Sequence, residues 1–225
     1  MSDIKDQKRV LETLTSSAEK RALIWMAERM PAWVSSDMLT WLGIAGSGMM
    51  FAGYWLSNRE PAWLWLSTFG LVVNWVGDST DGTLARVRHT ERPKYGFYID
   101  HTADVISEAL VFLGLGVSPF VRFELAALAY IGYLAMSVLT YVRTCVDGVF
   151  KISYSRLGPT ELRIVLAVVN TAMFVWGAPR FTVGGVVLTV YDLAVAAIAA
   201  GLGLAFVLSM AKGLRELEDV DRAAG

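Results

Sequence analysis

The sequence predicts an all-α integral membrane protein, with six transmembrane helices behind an N-terminal amphipathic interfacial helix. Composition points there first. Of 225 residues, 55% are hydrophobic and 18% charged, and the mean hydropathy is +0.47, whereas soluble domains run near about 25% charged. Long runs almost free of charge recur along the chain, and Lys and Arg collect in alternate connections between them.

Residues 1–36 come first. Leu11, Leu14, Ala18, Ala22 and Trp25 recur at helical spacing, with Lys8, Glu12, Glu19 and Lys20 among the intervening positions. That pattern predicts a helix lying in the headgroup region; a partly disordered basic lead-in is the plainer alternative. The segment is charged throughout and has no apolar core before a cleavage site, so it reads as retained, not as a signal peptide.

A span needs about 20 mostly apolar residues. Six runs qualify or nearly do: 38–58, 61–77, 105–121 broken by Glu108, 125–142, 164–179 and 193–211. The second and third spans are expected to extend past their apolar runs. Residues 181–191, with glycines and β-branched side chains, read as a loop or the entry to the last helix. The glycines of GIAGSGMMFAG in the first span predict close helix packing, since no strand precedes them to make a nucleotide loop.

Orientation follows from the basic residues, because cytoplasmic connections carry the excess. Residues 1–36 hold six, 86–95 four, 143–163 four and the tail from 212 three, whereas the alternate connections hold only Arg59, Arg122 and Arg180. Both termini should therefore be cytoplasmic in a cell membrane protein. With no long linker or internal repeat, the chain divides into a cytoplasmic or interfacial segment (1–36), a six-helix membrane domain (37–211) and a cytoplasmic tail (212–225). Twenty basic against 21 acidic residues leave a net charge of −1, which excludes a global cationic field for nucleic acid. The single Cys145 excludes an internal disulfide and a multi-thiolate zinc site.

The chemistry concentrates in GDSTDGTLARVRHTERPKYGFYIDHTAD, residues 77–104. Asp78 and Asp81 are three apart, and Asp100 and Asp104 four apart, so each pair shares one helix face. The link 85–96 is long enough to reverse the chain, and both pairs start near one membrane surface. Facing lipid at the bilayer centre, each would cost about 2.5–3.5 kcal/mol, so they should face a cavity. Packed together they would repel, which divalent cations relieve. An all-oxygen, partly hydrated site favours Mg²⁺ or Mn²⁺, ions that bind alongside substrate phosphates. Helix caps would explain one pair of aspartates, but not the accompanying Gly82, Ala85, Arg86 and Gly96.

The segment resembles the signature of the CDP-alcohol phosphotransferases, D-x2-D-G-x2-A-R, eight or nine residues, then G-x3-D-x3-D. Asp78, Asp81, Gly82, Ala85, Arg86, Gly96, Asp100 and Asp104 all match, a coincidence of about 10⁻⁷ from average composition. The resemblance implies metal-dependent transfer of a phosphatidyl or other phospho-alcohol group from a CDP-linked donor to an alcohol, releasing CMP, in phospholipid biosynthesis. CDP-diacylglycerol is the expected donor. The resemblance further implies two divalent ions on Asp78, Asp81 and Asp100 with Asp104 near them, and a homodimer in membrane lipid. Asp104 would act as general base, and Asp78, Asp81, Gly82, Ala85, Arg86 and Gly96 would bind the nucleotide donor.

Glu108 extends the Asp100–Asp104 face one turn toward the acceptor, or pairs with a polar neighbour. In relatives, basic residues at the start of the fifth span bind a phosphate, which implies that role for Arg156 and Arg163. His101 reads as structural and His89 as solvated. Two departures bear on substrates: Ser36 and Asp37 replace the Pro-Asn pair of many bacterial relatives, and Val105 replaces the Arg of inositol-phosphate users. The YIDHTAD run looks somewhat like choline and ethanolamine phosphotransferases, so a CDP-choline or CDP-ethanolamine donor with diacylglycerol as acceptor is the alternative. A cation or proton transporter is the alternative from another class, but it would set its carboxylates near the midplane.

Overall fold

The computed structural model describes residues 16–147 and 158–224; Leu11, Leu14, Lys151 and Arg156 lie outside them. In order run α1 (Ser16–Arg29), α2 (Ser36–Leu56), a 3₁₀ turn (Pro61–Trp63), α3 (Leu64–Val87), α4 (Pro93–Gly116), α5 (Phe123–Asp147), α6 (Pro159–Trp176), strands β1 (Arg180–Val183) and β2 (Val186–Thr189), and α7 (Val190–Ala224). Helices α2 to α7 overlap the six expected runs. Of these, α5, α6 and α7 are long and apolar enough to cross a membrane, consistent with an integral membrane protein.

Local chemistry sets the ends. The Ser35 hydroxyl accepts the Met38 N–H at 3.2 Å and caps α2. Pro93 and Pro159 stand at the first turns of α4 and α6, where a missing N–H costs nothing. At α6 the Glu161 carboxylate accepts the Gly158 N–H at 2.9 Å.

Three boundaries differ from expectation. No proline interrupts residues 78–92, so α3 continues to Val87 and the anticipated link 85–96 shrinks to 88–92. Residues 180–189 form an antiparallel hairpin, not a plain loop: Gly184 and Gly185 both take positive φ, 57° and 82°, as a tight two-residue turn requires. The expected tail is helical to Ala224. It is tied back by Arg143 to Glu216 at 2.9 Å and carries an Arg222–Glu218 pair at i,i+4.

Helices α2 and α3 pack backbone against backbone, as the glycine pattern predicts. A Cβ built on Gly70 would stand 2.6 Å from the Gly46 carbonyl oxygen, and one on Gly77 2.5 Å from the Leu39 carbonyl. Polar side chains exploit this proximity. Ser67 Oγ donates to the Met50 carbonyl at 2.9 Å, and Asn74 Nδ2 donates to the Gly43 carbonyl at 3.0 Å. Deeper, the Tyr54 hydroxyl donates to Asn170 Oδ1 at 2.8 Å, tying α2 to α6.

The other helices pack around this pair: α4 on α2, α6 on α3, α5 on α4 and α7 on α5. Asp192, at the start of α7, accepts the N–H groups of Arg122 and Thr189 at 2.7 and 2.8 Å, joining the α4–α5 connection to the hairpin. Helix α1 lies along α3. Its Ala27 is buried with Leu39 and Leu84, and Glu19 accepts the Trp75 indole N–H at 3.0 Å and the Thr160 hydroxyl. Ala18, Ala22 and Trp25 are exposed.

Gly77→Val is expected to lower stability by about 1–3 kcal/mol through overpacking, a fall of several degrees in the melting temperature of the detergent-solubilised protein. Gly48→Ala is the control, since a Cβ there meets nothing within 4 Å. Equal melting temperatures for the two variants would contradict the close-contact assignment.

Candidate active site

The signature residues occupy the last turns of α3 and the first turns of α4. Because the link is only 88–92, the two helices present their acidic faces to each other. Asp78 from α3 and Asp100 and Asp104 from α4 can each direct one carboxylate oxygen to a common point, these oxygens all lying within 4.8 Å of one another. All three side chains are partly buried. Such a group of hard oxygen donors can hold a divalent cation.

Two ties hold the link in place. Arg88 donates to the carbonyls of Met30 at 3.0 Å and Pro31 at 2.8 Å, and also to that of Val34, fastening the end of α3 to the segment before α2. Arg92 pairs with Asp37 and lies over the Tyr95 ring, 4.1 Å from its centroid. His89 is exposed, with a φ of 53° that the tight reversal imposes.

Asp81 stands apart from the acidic triad. Its Oδ2 accepts the Thr40 hydroxyl at 2.6 Å, and its Oδ1 accepts the Gly82 N–H at 2.5 Å. Ser36 Oγ reaches the Asp81 backbone carbonyl at 2.8 Å. The start of α2 therefore touches the acidic segment despite its departure from the Pro-Asn pattern. Thr40 is a site neighbour that sequence reasoning missed, although its place beside that departure was a usable signal.

Arg163 of α6 reaches across to α3. Its Nε donates to Asn74 Oδ1 at 2.9 Å and its Nη2 to Asp78 Oδ2 at 2.5 Å. Its Nη1 is buried without a hydrogen-bond partner among the described residues. Asn74 is held in turn by α2, through Gly43 and Ser47 Oγ at 3.1 Å. It lies one turn before Asp78 on the same face, a polar residue in an apolar run, and that was the signal available for it.

The sequence model of the CDP-alcohol phosphatidyltransferases matches residues 33–208, a span holding every signature position and all of the acidic site. The chain belongs to the CDP-alcohol phosphatidyltransferase family. It is therefore a phosphotransferase, moving a phosphatidyl group from a CDP-alcohol in phospholipid biosynthesis, in a family that uses divalent metal. The transporter alternative falls with that finding. A comparison with curated proteins finds no match.

The remaining signature positions of this CDP-alcohol phosphatidyltransferase divide by environment. A Cβ on Gly96 would meet nothing within 4 Å, and one on Gly82 only the Arg86 guanidinium, at 3.5 Å. Internal packing therefore does not require glycine at either position. Arg86 is exposed and its Nη2 donates to the Thr83 hydroxyl at 3.1 Å. The Ala85 carbonyl accepts the Thr90 N–H at 2.9 Å and closes the reversal. His101 donates from Nδ1 to the Phe97 carbonyl at 2.8 Å and packs edge-on to Tyr141, an arrangement suited to the structural reading. Glu108 accepts the Tyr133 hydroxyl, and its other oxygen is buried without a partner among the described residues.

Asn74→Ala removes the Arg163 Nε acceptor together with two bonds to α2. The expected loss is about 1–3 kcal/mol, read as a fall of several degrees in the melting temperature. An unchanged melting temperature would show that the α2–α3–α6 tie contributes nothing.

Proposed function

We propose that the chain transfers a phosphatidyl group, or a related phospho-alcohol group, from CDP-diacylglycerol to an alcohol and releases CMP. One observation carries the reading: carboxylates of two helices meet beside backbone left bare at Gly82 and Gly96. Three like charges this close fit a doubly charged hard cation, Mg²⁺ or Mn²⁺. Asp78, Asp81 and Asp100 would hold two such ions with Asp104 beside them, the Asp81 carboxylate first leaving the Thr40 hydroxyl. When bound, the ions supply charge neutralisation at the donor pyrophosphate and at the departing CMP.

The chain's own groups account for the rest. Asp104 takes the proton of the acceptor hydroxyl as that oxygen bonds to the phosphatidyl phosphorus and the bond to CMP breaks. Gly82, Ala85 and Gly96 let the nucleotide lie against helix backbone, and Arg86 neutralises phosphate charge. Arg163 and Arg156 hold a phosphate of the donor or the acceptor; the unpartnered Nη1 of Arg163 supports its part. The six long helices of residues 37–211 form the membrane domain, with both termini and the site on the cytoplasmic face of the cell membrane. The exposed Ala18, Ala22 and Trp25 face of α1 lies in the headgroup region, and the working assembly is a homodimer.

Purified protein should release CMP from CDP-diacylglycerol only with divalent metal and a suitable alcohol. Asp104→Asn should lower turnover by at least about 10²–10⁴-fold while nucleotide binding persists. Wild-type turnover in that variant would remove Asp104 from the base role, and metal-independent CMP release would overturn the proposed ion requirement.

A further inference from the structure

About 18 Å of helical rise along α4 separates Asp104 from Gly116. At that far end lies an open cavity of about 340 Å³, lined by the α4–α5 connection, the hairpin and the start of α7. The acidic site and this cavity share no residue.

The floor of the cavity is satisfied internally. Both Asp192 carboxylate oxygens accept backbone N–H groups, from Arg122 and Thr189. The Thr189 hydroxyl donates to the Phe120 carbonyl at 2.6 Å, and the Ser118 hydroxyl to that of Leu115 at 2.6 Å. The rim is not. Arg180 is exposed, and its guanidinium makes no hydrogen bond or ion pair among the described residues. Arg122 offers only Nε, to the exposed Glu124 at 3.5 Å, a long surface contact that holds weakly in water. Basic residues are scarce at this end: its connections hold Arg59, Arg122 and Arg180, and two of these three line one cavity. Their convergence in a region poor in cations points to an anion.

The surroundings specify what carries that anion. Phe123 and Val187 of the cavity wall expose apolar side chains, as do Val183, Val186 and Val190 of the hairpin and the first residue of α7. Trp55, Trp63 and Trp176, at the matching ends of α2, the 3₁₀ turn and α6, are exposed as well, the pattern of an aromatic belt at headgroup level. A guanidinium rim at that depth matches phosphate oxygens, and the bare apolar flank matches acyl chains. A soluble anion would leave the flank unused, and a zwitterionic headgroup would bring an ammonium against two guanidinium groups.

We propose that this cavity binds the phosphate of an anionic phospholipid from the leaflet opposite the acidic site. Arg122 and Arg180 donate to the phosphate oxygens, and Phe123 and Val187 lie against an acyl chain. The bound lipid joins the hairpin to the α4–α5 connection. This site is independent of the transfer reaction proposed above.

The test measures lipid affinity by native mass spectrometry of the full-length protein released from neutral detergent, with EDTA present so that no metal draws phosphate to the acidic triad. The probes are dioleoyl phosphatidylglycerol, dioleoyl phosphatidylcholine, dioleoylglycerol and inorganic phosphate. Phosphatidylglycerol should bind about 10-fold or more tightly than the other two lipids, and millimolar phosphate should not displace it. Arg180→Gln should weaken phosphatidylglycerol about 10-fold or more, Arg180→Lys less, and Arg163→Gln at the acidic site not at all. Because the Arg180 side chain ties nothing in the fold, Arg180→Gln should melt with the wild type when lipid is absent. Equal affinity for phosphatidylglycerol and dioleoylglycerol would overturn the inference, as would wild-type affinity in Arg180→Gln or a loss caused by Arg163→Gln. Displacement by millimolar phosphate would make the occupant a soluble anion and overturn the lipid assignment.

Discussion

Like charge held at close range is the constraint around which this structure is arranged. Asp78, Asp100 and Asp104 bring carboxylate oxygens within 4.8 Å of each other. At an effective dielectric near 20, each like pair at that separation repels by about 3.5 kcal/mol, enough to splay two helices whose link is only five residues long. The fold resists through groups outside the triad. Arg163 brings a positive charge to Asp78 from α6, Asn74 fixes that guanidinium from α3, and Arg88 fastens the end of α3 to the segment before α2. The repulsion that remains is what suits the site to a divalent cation and a phosphate-bearing substrate.

The rigidity comes from α2 and α3. With glycine at 43, 46, 70 and 77, their backbones approach until side chains on one helix bond carbonyls on the other. Such contact leaves little freedom for Asp78, one residue beyond Gly77, to drift. The same contact brings Thr40 against Asp81 and lets Ser36 hold the helix backbone there. α6 packs on α3, and α5 and α7 lie beyond α4; these three helices are long and apolar enough to cross a membrane. Arg163 reaches the acidic site from α6.

Much of this was legible from residues alone. The acidic pairs announced themselves because four carboxylates ending apolar helices are costly without a purpose, and the glycines of α2 announced close packing because no strand preceded them. The α3–α4 link was harder to read. Arg86, Arg88, Arg92 and Lys94 look like loop, yet only residues 88–92 leave the helix, because Pro93 is compatible with a first turn and nothing before it breaks α3. Thr40 and Asn74 were missed because a lone hydroxyl or amide in a helix gains meaning only once the facing helix is known. The hairpin at 180–189 falls where the residues read as a loop or helix entry, because four-residue strands carry too short a pattern to distinguish. Asp81 fell on the expected helix, but its bonds to Thr40 and Gly82 depend on rotamers that spacing does not determine.

The central claim is that carboxylates from α3 and α4 together create a divalent-metal site on which the nucleotide depends, and electron paramagnetic resonance of Mn²⁺ bound to the purified protein tests it most directly. The account predicts a protein-bound Mn²⁺ signal that broadens or splits through phosphorus coupling when CDP-diacylglycerol is added, and that is lost in both Asp78→Asn and Asp100→Asn, one from each helix. A bound signal that survives both substitutions, or no Mn²⁺ binding with nucleotide present, would contradict it.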